Sequence, residues 1–330
     1  MASIDVFSGV GGTSLVLERC GAETVAYCEC DPSARKVLAS RFADGSLHAA
    51  PVHEDVRSFA APAADIVVGG FPCQDVSDAG HRVGLTGERS ALVWHLLRIA
   101  RESGSRWLFI ENVPGFVRRG LEQVERHLVC EGWSVRYVIV AASEVGLPHL
   151  RKRCFVLARN EARPPTGDRL VVPRVRHGPH GREPERLAGA CDAALTRGAR
   201  IRLLGNAVCV PQACLALARL LGGRVGTTWE KAWNAGRAPD VSSSVPCPRP
   251  RCPTPIASDG TGGSGSHRSA RGVTLSLSRW VRCRPSRGKW GTRVSLRQYE
   301  LRSRAGRLSA EWTEWVMGFP PGHTRVERDR

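Results

Sequence analysis

Short apolar runs alternate with amphipathic stretches through the first 160 residues. Residues 3–7 read as a strand ending in a Gly-rich turn. Residues 13–20 read as a helix closed by Gly21, a residue suited to a left-handed C-terminal cap. A strand at 24–28 precedes a helix over 33–42. Residues 65–69 (DIVVG) form a buried strand that runs into GGFPCQ. Over 91–103, Leu92, His95, Leu96 and Ile99 share one helical face. A strand at 107–110, a helix at 121–130 and strands at 134–141 and 154–158 follow. Strands alternating with helices of about ten residues predict βαβ units, hence an α/β fold with a doubly wound parallel sheet. Ligands of such sheets sit beyond the carboxyl ends of the strands, and the SGVGG, FPCQ and ENV turns all fall there.

The pattern then breaks. Pro, Arg and Gly dominate 160–200. Residues 210–221 (VPQACLALARLL) form a helix that Gly222-Gly223 ends. Ser, Gly, Arg and Pro fill most of 223–307, where 259–266 (DGTGGSGS) reads as flexible loop. Apolar content returns over 308–319, with Trp312, Trp315, Val316 and Met317 at helical spacing. Two domains are expected: 1–222, with 160–200 as an irregular insert, and a smaller, basic, loop-rich region at 223–330.

Charge narrows the partner. The net charge is +17, which points to a polyanion, most simply nucleic acid. An anionic membrane surface is the competing partner, but no basic amphipathic helix with bulky apolar anchors stands out. No apolar run of about 18 residues is expected to span a membrane. The opening MASIDVFSGVGG reads as a strand, not a signal peptide. The 12 cysteines are scattered, which suggests a reduced, cytoplasmic setting rather than a disulfide framework. Cys247, Cys252, Cys283 and His267 can be forced into a zinc set only across Pro-rich spacing, so no metal is expected.

Three turns carry candidate chemistry. Phe7-Ser8-Gly9-Val10-Gly11-Gly12 lies between a strand and a helix, where glycines admit a close ligand and helix N–H groups point outward. Glu29 ends the next strand, where an acid can accept hydrogen bonds from ribose hydroxyls. That pair alone also suits a nicotinamide oxidoreductase, or a merely tight turn. Cys73, in Gly69-Gly70-Phe71-Pro72-Cys73-Gln74, follows a buried strand, with Pro72 fixing the backbone before it. A partly exposed thiolate there is a nucleophile; a small buried hydrophobe is the bland alternative. The stretch 75–89 reads as a mobile loop able to close. Glu111, in ENVPG, can donate a proton or accept a hydrogen bond, or serve with Asn112 as a turn cap.

Taken in order, these elements resemble the cytosine-C5 DNA methyltransferase family. FSGVGG, Glu29, Asp55, GGFPCQ, GERSAL (87–92), ENVPG, Arg151-Lys152-Arg153 and Gly205-Asn206-Ala207-Val208 match it in order and spacing from 4 to 221. The resemblance implies a Rossmann-like sheet of the S-adenosylmethionine-dependent methyltransferase type with a smaller, irregular C-terminal recognition region. It implies a catalytic set of Cys73, Gln74, Glu111, Arg151 and Arg153. S-adenosylmethionine would be held by Phe7, Gly9, Gly11, Gly12, Glu29, Asp55, Pro72, Asn206 and Ala207. Double-stranded DNA would be met by Ser77, Arg89, Arg249 and Arg251. A monomeric, cytoplasmic enzyme with a cognate restriction endonuclease as partner fits the same picture.

There are departures. His149 stands where the family's QxRxR element begins. Cys30 stands where a bulky residue often packs on adenine. Residues 309–324 (SAEWTEWVMGFPPGHT) resemble a segment that normally precedes the GN element, but here follow it. That order suggests a phage or prophage enzyme, and keeps open a degenerate, non-catalytic homologue; charge alone leaves RNA as an alternative substrate. The expected role of 223–330 is target recognition, with Trp312, Trp315 and Met317 anchoring its last helix on the catalytic body.

Overall fold

Seven strands hydrogen-bond into one mixed sheet in the computed structural model, which describes residues 1–73, 90–165, 170–178, 194–223, 225–235, 268–269, 272–273 and 309–326. The strands are β1 (Ala2–Val6), β2 (Glu23–Cys28), β3 (Val52–His53), β4 (Ile66–Gly69), β5 (Trp107–Asn112), β6 (Trp133–Ala141) and β7 (Lys152–Asn160), in the order β3-β2-β1-β4-β5-β7-β6. The first five pair in parallel. The wholly parallel sheet expected from the alternation is corrected at one edge, where β7 runs antiparallel to both β5 and β6. The cause is the connection: 142–151 is shorter than the dozen or more residues that a parallel crossover requires.

Helices cover both faces, as the doubly wound reading expects. Alternate strand residues face opposite cores, because successive side chains in a strand point to opposite faces. Ile66, Val68 and Phe109 join one core with α1 (Gly12–Glu18), α6 (Val210–Leu221) and α7 (Trp229–Ala235). Val67, Leu108 and Ile110 join the other with α3 (Val93–Glu102) and α4 (Glu122–Cys130). Asp31 caps α2 (Pro32–Ala43) by accepting from the N–H of Ser33 at 2.8 Å, with Pro32 in the first turn where its missing N–H costs nothing. A single π turn at Val117–Leu121 leads into α4.

Elements not legible in the pattern include β3, α5 (Arg197–Asn206), which begins in the expected irregular insert at 160–200 and runs past it, and α7 beyond the expected boundary at 222. The segment just past that boundary packs on the sheet. Trp229 and Trp233 pack edge-on against Trp107 of the central sheet, at 5.3 and 5.5 Å between ring centroids. The last helix, α8 (Ala310–Met317), and the turn after it are likewise part of the body, for Met317 and Phe319 share a core with Leu17 and Phe109. Arg197–Leu221 is long and apolar enough to cross a membrane by length and composition alone, but 78% of its apolar window is buried inside the fold. It is a pair of core helices, α5 and α6.

Candidate active site

One edge of the sheet gathers the candidate chemistry. The registers pair Cys28 and Gly69 with Val6, and Gly69 with Ile110. The next residues along are Glu29, Phe7, Gly70 and Glu111, so four strands deliver them side by side. Because β7 is antiparallel, its beginning lies at the same edge, and Arg151 and Arg153 arrive there from the opposite direction. The antiparallel direction of β7, a strand the pattern expected at 154–158, is therefore what brings the two arginines to the site.

At the β4–β5 end, Arg153 Nε lies 2.8 Å from Glu111 Oε1, and both side chains are largely buried. Gly70 leaves room for this carboxylate: a Cβ there would stand 3.0 Å from Glu111 Oε2. Asn112 donates its side-chain amide to the Phe71 carbonyl at 3.1 Å and accepts from the Val113 N–H at 2.8 Å. It thus ties the residues before Cys73 to the strand that carries Glu111, a role beyond turn capping. Cys73 itself is half-buried. Burial pushes its thiol pKa up, the nearby Arg153 charge pulls it down, and Glu111 pushes it up again. Pro72 is half-exposed beside it.

Arg151 lies deeper than Arg153. It is 2% exposed, and its guanidinium donates to the carbonyls of Gly205 (3.1 Å) and Ala207 (2.6 Å). Gln212 of α6 holds Arg151 in turn, donating to its carbonyl at 2.7 Å and to that of Val140 at 2.8 Å. Arg151 therefore positions the 205–207 turn. Asn206, exposed at the end of α5, is presented by that turn.

The turn packs onto the glycine-rich loop. The loop is shaped from below by Asp5, a fully buried acid in the middle of β1 that the apolar pattern concealed. Its carboxylate accepts from Thr13 Oγ1, Ser14 Oγ and the Ser14 N–H, at 2.7 to 3.1 Å, and so caps α1 from the strand. Burial raises its pKa to about 6. Phe7 is left-handed at φ 58° and half-exposed. At Gly9, φ is +55° and nothing stands within 4 Å of where a Cβ would project; its N–H donates to Glu29 Oε2 at 2.7 Å. The other Glu29 oxygen accepts from the Asp31 N–H at 2.7 Å, and burial raises the acid's pKa. Gly9 and Glu29 thus form a small acidic notch with open space in front of it. Gly11 and Gly12 also face protein neighbours. A Cβ on Gly11 would meet Leu47 at 2.4 Å; on Gly12 it would meet Val208 at 2.8 Å and Phe319 at 3.2 Å. Their small size lets Leu47, Val208 and Phe319 pack against the loop. Asp55, just beyond β3, is held by Arg57, whose hydrogen bonds keep its pKa low.

The C-terminal segment forms the far wall. Arg200 of α5 and Glu314 of α8, both fully buried, pair at 2.9 Å. Glu314 also accepts from the N–H groups of Gly322 (2.8 Å) and Thr324 (2.7 Å). His149, at the QxRxR departure, meets the Val316 carbonyl at 2.8 Å, and burial lowers its pKa to about 3. A neutral His149 with its proton on Nε2 satisfies that geometry. Expected site residues Gln74, Ser77, Arg89, Arg249 and Arg251 lie outside the described residues, as do the 75–89 and 259–266 loops and the set Cys247, Cys252, Cys283 and His267.

The family profile described as C-5 cytosine-specific DNA methylase matches residues 1–183. The chain is 35% identical to the Type II methyltransferase M2.BsuMI of Bacillus subtilis (strain 168), over 48% of this chain and 42% of that protein. It is 33% identical to the Type II methyltransferase M.HhaI of Haemophilus parahaemolyticus, over 48% of this chain and 49% of that protein. The chain thus spans about half the length of these relatives. Among solved structures it matches the Entamoeba histolytica methyltransferase EhMeth at 20% identity and a TM-score of 0.41, over 52% of this chain and 58% of that one.

Proposed function

Because the chain belongs to the C-5 cytosine-specific DNA methylase family, we propose that it methylates carbon 5 of a flipped-out cytosine in double-stranded DNA, with Cys73 as the nucleophile. The reading includes a monomeric, cytoplasmic enzyme that protects sites against a cognate restriction endonuclease, in keeping with the Type II names of its relatives. The observation that carries it is the cluster at the β4–β5 edge: a half-buried cysteine beside a buried Glu111–Arg153 pair.

S-adenosylmethionine, when bound, supplies the methyl group that carbon 5 acquires. The chain's residues fit such a molecule. Gly9 leaves open space at the loop, Glu29 lies beside it with lone pairs left for hydroxyl donors, and the exposed Asn206 and the Ala207 backbone flank it. Phe7, Pro72 and Asp55 complete the set that would hold it.

The target carbon is stacked inside a duplex, so the base must leave the helix to reach Cys73. Cys73 Sγ forms a bond to carbon 6, and the electrons of the 5,6 double bond move through carbon 4 to N3. Glu111, ion-paired as a carboxylate in the free chain, takes up a proton from solvent as the base docks and delivers it to N3, which keeps negative charge from accumulating there. Arg153 holds the Glu111 carboxyl in place and favours the thiolate of Cys73 through its positive charge. Carbon 5, now nucleophilic, takes the methyl group and then loses its own proton to a base. The electrons of that C–H bond restore the double bond, the Cys73 thiolate leaves carbon 6, and the N3 proton returns to Glu111. Arg151 acts one step back, by fixing the 205–207 turn.

Duplex DNA carrying 5-fluorocytosine tests this chemistry, since fluorine cannot leave as a proton does. Incubation with S-adenosylmethionine should give a denaturant-stable protein–DNA adduct that Cys73→Ala does not form. An adduct formed equally by Cys73→Ala would overturn the assignment.

A further inference from the structure

The geometry points to His323 as a positioning residue for the cofactor loop, and so to the turn after α8 as part of the cofactor site. This inference rests on the proposed use of S-adenosylmethionine. His323 is 1% exposed, and its Nε2 lies 2.7 Å from the carbonyl oxygen of Val10. Val10 is the central residue of the glycine-rich turn, next to Gly9. A carbonyl only accepts, so the imidazole proton resides on Nε2. The contact joins residues 313 positions apart in sequence.

The turn that carries His323 is held from three sides. Gly318 ends α8 at φ 76°, close against Pro211. The Phe319 ring stacks on His323 at 4.7 Å and packs over Gly12. The buried Glu314 carboxylate gathers the N–H groups of Gly322 and Thr324 on either side of His323, and Arg200 neutralises it. A side chain mounted this firmly fixes what it holds. With the Val10 carbonyl pinned, the Val10–Gly11 peptide is fixed directly, and the Gly9–Val10 stretch is held at both ends, by Glu29 on the Gly9 N–H and by His323 on the Val10 carbonyl. Gly9 is the one glycine of this loop whose missing Cβ faces open space, and its N–H is bonded to Glu29. The N–H and carbonyl ends of this short stretch are thus set by the second strand and by the C-terminal turn. Glycine makes the loop able to approach a ligand, and it also makes it floppy. His323 removes that freedom before the ligand arrives, and pre-ordering of this kind raises affinity.

Binding of S-adenosylhomocysteine to the full-length chain, followed by intrinsic tryptophan fluorescence, tests this. His323→Phe keeps a ring on Phe319 but lacks the donor; His323→Gln restores one. Thr324→Val removes a hydroxyl from the same network without touching Val10, and controls for loss of stability. The expected result is about five- to tenfold weaker binding by His323→Phe, the size of one hydrogen bond. His323→Gln and Thr324→Val should stay within about twofold of wild type, although Thr324→Val melts at lower temperature. Wild-type affinity in His323→Phe overturns the inference, as does equal weakening by Thr324→Val. Amide hydrogen exchange over residues 7–12 judges the contact without any ligand. Faster exchange in His323→Phe but not in Thr324→Val supports it, and unchanged exchange overturns it. A wild-type chain that binds no S-adenosylhomocysteine would defeat the cofactor reading instead, and the exchange result would still decide the contact.

Discussion

At the scale of single residues, Cys73 and Glu111 were legible because their neighbours announce them: a glycine pair and a proline before the cysteine, and a buried strand before ENV. What sequence alone could not supply is how Cys73 is tuned. Its thiol feels Arg153 and Glu111 in opposite senses. Replacing Glu111 with Gln removes the negative charge, so the thiol pKa should fall and Cys73 should be alkylated faster by iodoacetamide near neutral pH, as followed by peptide mass spectrometry. Slower alkylation would contradict the electrostatic account. The same substitution should reduce methyl transfer by about 10²–10⁴-fold, the usual contribution of a general acid–base group, since the amide has no proton to give to N3. Asp5 was invisible for a plain reason: one acid within an apolar strand looks like an interruption, and only the fold reveals the hydroxyls of Thr13 and Ser14 around it. His323 was invisible because its partner is a backbone carbonyl 313 residues away, and no local spacing encodes that.

At the scale of elements, the parallel strands and their helices followed from periodicity, because each is long enough to repeat its pattern. The reversal of β7 did not, since strand direction is set by the length of the connection and not by the strand itself. Helix α5 was hidden by its composition: Arg197, Arg200 and Arg202 suggest a solvated stretch, yet Arg200 is fully buried against Glu314. This pair is what fastens α8 to α5. Removing one partner of a buried pair leaves the other charge stranded, at a cost of about 3–5 kcal/mol. Glu314→Gln should therefore lower the unfolding free energy by an amount of that order in urea titrations. A loss below about 1 kcal/mol would show that the network does not fasten the C-terminal segment. Exposed pairs such as Arg126–Glu122 serve as the contrast, being worth little in general.

At the scale of the whole molecule, the chain closes on itself: 309–326 packs against the loop that follows β1. Residues 229–235 and 309–326, within the region expected to recognise the target, pack on the body that carries the cofactor loop, and truncation after Gly223 tests how far that body depends on them. Such a truncation removes Trp229 and Trp233 from the core and the far wall of the cofactor loop, and it should abolish S-adenosylhomocysteine binding in a fluorescence titration. Full affinity in the truncated chain would refute the closed arrangement.

Closure also makes the molecule acid-sensitive. Burial lowers the pKa of His323 to about 4 and of His149 to about 3, from about 6.5 in the unfolded chain. Their folded pKa values are depressed, so the stability they confer is fully present above pH 6.5 and is lost as pH falls toward 4 and below. Asp5 acts in the opposite sense, because its raised pKa lets protonation favour the fold between about 6 and 3.8. Comparison with His323→Asn isolates one group: the stability gap between wild type and variant should narrow by about 2 kcal/mol between pH 7 and pH 5. Parallel stability curves would contradict the buried, neutral state of His323.

The central claim is that this chain methylates cytosine through Cys73. Bisulfite sequencing of plasmid DNA from cells expressing the full chain tests it directly, with folded Cys73→Ala expressed in parallel. The account predicts cytosines protected from conversion at recurring sequence contexts in the wild-type sample, and none in the Cys73→Ala sample. Complete conversion with the well-expressed wild-type chain, or protection that persists in Cys73→Ala, would contradict it.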